Sequence, residues 1–115
     1  MTTDIDAPFR SIQQLIQDMP GDPFPRYGLA MAYKNAGRLS EAAACFAELG
    51  SLFPDYLPRY LMHGNVLVQL QRFNEAASLY NQGESLAIQQ KQLSTAHELR
   101  QARLDALEAR EAFEL

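Results

Sequence analysis

Three side chains in this sequence carry the chemistry for proton transfer, nucleophilic attack or metal ligation near neutral pH: His63, His97 and Cys45. They do not make a set. A helical zinc site needs two histidines one turn apart with a glutamate between, and His63 and His97 lack that spacing. A single cysteine excludes an internal disulfide and any cysteine-based metal cluster. Neither a glycine-rich phosphate loop nor a dinucleotide fingerprint is present. The expectation is a protein that performs no catalysis and holds no metal or cofactor.

Each of these residues has a structural account. His63 falls in a core-facing slot of a predicted helix, which fits a partly buried histidine bonded to a neighbour better than a ligand or pH sensor. His97 belongs to a predicted tail helix and reads as solvated. Cys45, beside Phe46, reads as a small half-buried apolar residue, and Glu108, Glu111 and Glu114 as a solvated helix face. A small-ligand binder needs convergent polar groups in a pocket, and only His63 and Asn65 are near one another.

Composition removes further classes. The formal net charge of −4 leaves no basic footprint for a phosphate backbone or an anionic lipid surface. Only Lys34 and Lys91 are lysines, and the eight arginines are scattered. No nucleic acid and no membrane are expected as partners. The opening "MTTDIDAPFR" is acidic where a signal peptide is basic, and no apolar run approaches spanning length, so a cytoplasmic location is expected. At 115 residues the chain has room for one domain, and its 47% apolar content can build a core.

Helices must position whatever function remains. Asp22 followed by Pro23 is a cap followed by proline at a first helical position; Leu29, Ala30, Tyr33 and Ala36 then share a face, and Gly37 can end the helix in the left-handed conformation. Ser40 and Asn74, each followed by a glutamate, are expected to cap two further helices. Phe9, Ile12, Ile16 and Met19 follow an Asp6-Ala7-Pro8 start at helical spacing. "LSTAHELRQARLDALEAREAFEL" is rich in strong helix formers, its apolar arc running through Leu93, Ala96, Leu99, Ala106, Leu107 and Phe113.

The sequence also repeats. A shift of 34 residues pairs Ala30 with Gly64, Tyr33 with Leu67, Leu39 with Phe73, Glu41 with Glu75, Ala42 with Ala76 and Phe46 with Tyr80. That is the period of a helix–turn–helix repeat. On Leu29, Ala30, Tyr33, Gly37, Leu39, Ala42, Phe46, Leu49 and Pro54, and again on Tyr60, Gly64, Phe73, Ala76 and Tyr80, the chain resembles the tetratricopeptide repeat (TPR) family, and in particular its small stand-alone bacterial members. The second repeat departs at His63 (leucine in the pattern), Gly83 (leucine or alanine) and Ile88 (proline). Loss of that proline lets the helix run on.

The resemblance implies an all-α fold of antiparallel helix pairs stacked as a short right-handed solenoid with a capping helix at each end. Within one domain, 1–115, it implies an amino-terminal half repeat at 6–20, repeats at 23–56 and 57–90, and a capping helix at 91–113. It further implies a non-catalytic adaptor that holds a peptide or helix of another protein in a concave groove. The family's groove positions fall on Phe24, Tyr27, Met31, Lys34 and Asn35, then on Leu61, Asn65, Val68 and Gln69. A branch that clamps acidic chaperone tails uses cationic and amide residues there; with Tyr27, Met31 and Leu61 in those places, Asn65 is the one match and that role is disfavoured. The alternative is assembly, a homodimer pairing through the carboxyl-terminal helix.

Overall fold

A computed structural model of the chain describes residues 6–115, and among them six helices and no strand. They are α1 (Ala7–Asp18), α2 (Pro23–Asn35), α3 (Leu39–Leu52), α4 (Pro58–Gln69), α5 (Phe73–Gln89) and α6 (Leu93–Glu114). Each packs on its neighbours in the chain; beyond these, α2 touches α4 and α4 touches α6. This nearest-neighbour pattern is that of an all-α helical solenoid. The radius of gyration, 15.2 Å, exceeds the roughly 13 Å of a compact domain this long, and the extents of 46 × 36 × 20 Å describe a slab.

Local chemistry sets the boundaries. The Asp22 side chain accepts from the Phe24 N–H at 2.9 Å, and Pro23 stands where its missing N–H costs nothing. α2 ends in a Schellman turn: the Arg38 N–H donates to the Tyr33 carbonyl, the Gly37 N–H to that of Lys34, and Gly37 has φ 77°. The same turn closes α4 at Gln71 and α5 at Lys91, with φ 62° and 61°. Neither of those is a glycine.

Ser40 and Asn74 do not cap α3 and α5, contrary to the sequence expectation. The caps are Arg38 and Arg72, and no side chain bonds the free amides at either end. Each arginine instead reaches forward to the glutamate three residues on, Arg38 to Glu41 at 2.7 and 2.6 Å and Arg72 to Glu75 at 3.0 and 2.6 Å. A bidentate guanidinium–carboxylate pair thus braces the first turn, leaving the serine and asparagine outward. α5, without a proline to stop it, spans 17 residues against 14 in α3.

The core is one apolar column. Phe46, Leu49, Val66, Tyr80 and Leu99 are its largest fully enclosed side chains. Small residues admit the large ones: a methyl group added at Gly64 would collide with the Tyr80 ring, and one at Gly83 with Tyr60. The Tyr60 hydroxyl donates to the Pro54 carbonyl at 2.6 Å, tying the α3–α4 loop to α4. At the amino-terminal end Phe9 stacks on Tyr33, ring centroids 4.5 Å apart, under the guanidinium of Arg38. Met19, expected on that apolar face, lies past the last turn of α1 and is exposed.

The tail arc is mostly enclosed. Ala96, Leu99 and Ala106 are buried, while Leu93 and Phe113 stay exposed, the latter with its ring 5.8 Å from Phe73. Glu84 of α5, nearly buried, accepts from Arg100 at 3.0 Å and lies 3.8 Å from Arg103. Arg110 donates to the Asn74 side chain at 2.7 Å, and Arg103 donates to that of Asn81. Polar ties along its length therefore fix how α6 lies on α5.

Candidate functional site: a cleft between α2, α4 and α6

A cleft of about 500 Å³ lies among α2, α4 and α6, at the size of a ligand or peptide-side-chain pocket. Lys34 comes from the last turn of α2; Asn65, Val68 and Gln69 from α4; Tyr80 from α5; and Ala102, Asp105, Ala106 and Ala109 from α6. The spacing of Asn65, Val68 and Gln69 puts them on one face of α4. Ala102, Ala106 and Ala109 do the same on α6, so that wall is low and a second backbone could come close.

Polar groups in the cleft are held in place. The Tyr80 hydroxyl donates to Asn65 Oδ1 at 2.6 Å. Burial pushes the Tyr80 phenol up to about 12, with the Asp105 carboxylate adding to the shift, so it stays a donor. The bond fixes the amide: with Oδ1 engaged, Asn65 turns its NH₂ donors to the remaining space. Lys34 and Asp105 place opposite charges on facing helices, giving the cleft a polarity along which a bound segment could align.

Four of the nine groove residues named from sequence, Lys34, Asn65, Val68 and Gln69, are brought together here. Met31 and Leu61 are half-buried and pack on the core. Tyr27 is also half-buried, its ring edge-on to Phe46 at 6.2 Å and to Tyr56 at 5.7 Å, and burial raises its phenol pKa. Phe24 is 65% exposed on the first turn of α2, and Asn35 is exposed at that helix's end; neither lines the cleft. The α6 wall was missed because the groove was read from the two repeats alone. One more step of the 34-residue period, from Val68 to Ala102, would have found it.

Among the described residues no group of three or more His, Cys, Asp or Glu side chains could hold a metal ion, and no helix is long and apolar enough to cross a membrane. Cys45 is half-buried, its thiol pushed up by burial and by Glu48 and Glu41, which makes a poor nucleophile. His97 is exposed on α6.

No protein-family model matches the chain, and neither does any curated protein. Solved structures do match. A solution structure of a tetratricopeptide repeat domain protein from Salinibacter ruber is 36% identical, with a TM-score of 0.71, over 76% of this chain and 88% of that one. A crystal structure of a tetratricopeptide repeat domain protein from the same organism is 35% identical, with a TM-score of 0.70, over 74% of this chain and 96% of that one. Identity at this level over nearly the whole of those domains, on a solenoid with the 34-residue period, places the chain in a family: it belongs to the tetratricopeptide repeat proteins.

Proposed function

We propose that this protein is a non-catalytic adaptor, folded as one domain, that holds a peptide or helical segment of another protein in the cleft between α2, α4 and α6. The fold is one typical of protein–protein interaction modules. The observation that carries the reading is the cleft itself. It has a low alanine wall on α6, an apolar rung at Val68, and an Asn65 amide oriented by Tyr80. Such an amide can hold the backbone of a bound strand or helix end, while apolar walls supply the area.

Pairing through α6 has less support. Its buried face is already taken by α5, and the exposed Leu93, Leu104 and Phe113 are spread along the helix with charged and polar residues in the intervening turns. A photo-crosslinking residue at Gln69, with a control at the exposed Gln13 of α1, tests the adaptor reading. The same partner should be captured from Gln69, not from Gln13, and be lost when Ala102→Glu puts a charge in the cleft. Capture that is equal at both sites, or indifferent to Ala102→Glu, removes the cleft as the binding surface. Capture of a second copy in place of another protein hands the reading to assembly.

A further inference from the structure

A larger cleft, of about 610 Å³, opens between α3 and α5 with α4 beneath it. Ala43 and Ala47 on α3, Leu79 on α5 and Leu67 on α4 give it an apolar strip, and Ser40, Asn74, Glu75, Ser78 and Gln82 make most of the rest of its lining polar. His63 also lines it and is only 8% exposed. The family pattern has leucine in this slot. Here the ring stacks on Phe46, centroids 5.6 Å apart and 18° from parallel, so its plane is fixed.

The proton on that ring is assigned by its neighbour. His63 Nδ1 lies 3.3 Å from an Arg59 guanidinium nitrogen, and a guanidinium has donors only, so Nδ1 accepts and the ring proton sits on Nε2. Among the described residues no side chain or backbone carbonyl takes that Nε2–H. Burial, then the charges of Arg59 and Arg72, hold the ring neutral, its pKa lowered to about 4 against the opposing pull of Glu75. His63 is therefore a neutral, oriented and unanswered donor.

Behind it stands a buried cation without a counter-ion. Arg59 is 7% exposed, lies with its guanidinium 4.1 Å from the Tyr60 ring centroid and against Gly50, and its Nε has no partner. No acidic side chain among the described residues pairs with it. The carbonyl end of α3, where Gly50 lies, offers only a partial negative charge. At the rim Arg72 is already neutralised by Glu75. Arg59 thus stands behind the cleft floor without a carboxylate among the described residues, and its donation to His63 Nδ1 polarises the ring and strengthens the Nε2–H as a donor.

We propose that this cleft binds an apolar monocarboxylate, its carboxylate accepting the His63 Nε2–H and its apolar body lying along Ala43, Ala47, Leu67 and Leu79. Free organic acids and the apolar carboxyl terminus of a polypeptide share that chemistry. Neither needs the cleft proposed for the adaptor role.

The test is a titration followed by NMR of the His63 ring and of the Ala43, Ala47 and Leu79 methyl groups. Phenylbutyrate is the free acid, phenylbutanol its uncharged counterpart, and N-acetyl-alanyl-phenylalanine the stand-in for a chain terminus. At least one acid should shift these signals saturably and bind about tenfold more tightly than phenylbutanol. His63→Leu, which restores the apolar side chain of the repeat pattern and whose folding is checked by circular dichroism, should abolish the preference. Ala47→Phe, which fills the cleft and leaves His63 in place, should block binding altogether. Binding by one acid alone identifies the source. Absence of saturable shifts with either acid, equal affinity for the alcohol, or an undiminished preference in His63→Leu overturns the proposal.

Discussion

His63 and Arg59 share one hydrogen bond and no acidic partner, an arrangement with a consequence for pH. The imidazole is neutral in the folded chain, with a pKa of about 4, against 6.5 for the free side chain. Below 6.5 the unfolded chain takes up a proton that the folded chain refuses, so the group favours folding least in acid. Stability should fall as pH drops from 6.5 to 4, with a ceiling of roughly 3 kcal/mol, and level off below. Urea unfolding at a series of pH values checks this: in His63→Leu the slope attributable to this window should vanish, while the acid loss from carboxylates remains. A second residue-scale prediction concerns Gly64, whose missing side chain makes room for Tyr80. Gly64→Ala should cost about 1–3 kcal/mol and weaken the Tyr80–Asn65 bond, visible as a changed Asn65 amide resonance. Sequence reasoning found His63 in a core slot bonded to a neighbour. That the neighbour is a buried arginine was not legible, since nothing in the spacing of Arg59 separates it from the surface arginines.

Helix ends separate what spacing can reveal from what it cannot. The Gly37 turn could be read because glycine announces the left-handed conformation. Gln71 and Lys91 adopt the same conformation without announcing it, because the packing of the following helix over-determines the turn. The alignment "GRLSEA", "QRFNEA", "KQLSTA" shows the turn three times, the last after only 20 residues, so the turn that joins the two helices of a repeat also joins α5 to α6. α6 continues the row of α2 and α4, with Ala102 standing 34 residues past Val68 and both lining the cleft, and a groove read from two repeats stops short of it. The cost of the two non-glycine turns should be recoverable. Gln71→Gly is expected to stabilise the chain by about 0.5–1 kcal/mol, Lys91→Gly by a similar amount, and the pair additively. Gly37→Ala should lose about 1 kcal/mol, all three read from urea midpoints at constant slope. A shallower slope in the glycine variants would mean that the turns shape the unfolded chain instead.

At the scale of the whole molecule, contacts run almost entirely between chain neighbours, and that makes the two ends unequal. α1 is held by one buried aromatic, Phe9, by the half-buried Ile12 and Ile16, which pack on the core, and by Arg38, which bonds Asp6 at 2.8 Å. α6 closes far more. It sets Leu99 against Gly83 and Arg100 and Arg103 against Glu84 on α5, touches α4, and supplies one wall of the α2–α4–α6 cleft. In a stack with this connectivity, losing an end helix destabilises only its neighbour unless that neighbour has no other way to hide its apolar face. α2 has α3 and α4 to pack on, so Phe9→Ala should detach α1 at a cost of about 3 kcal/mol and leave the rest cooperative. α5 has only α4 left once α6 is gone, with Glu84 stripped of both arginines and Leu99 withdrawn from against Gly83. A chain truncated before Leu93 should therefore lose a cooperative transition or aggregate. Hydrogen exchange on the intact protein distinguishes this unequal stack from a uniform one: amides of α4 and α5 should exchange only by global unfolding, those of α1 by local opening, and those of α6 near its first four turns with α5. Rapid exchange throughout α6 would mean that it is an appended tail, and the cleft it walls would then be open for only part of the time.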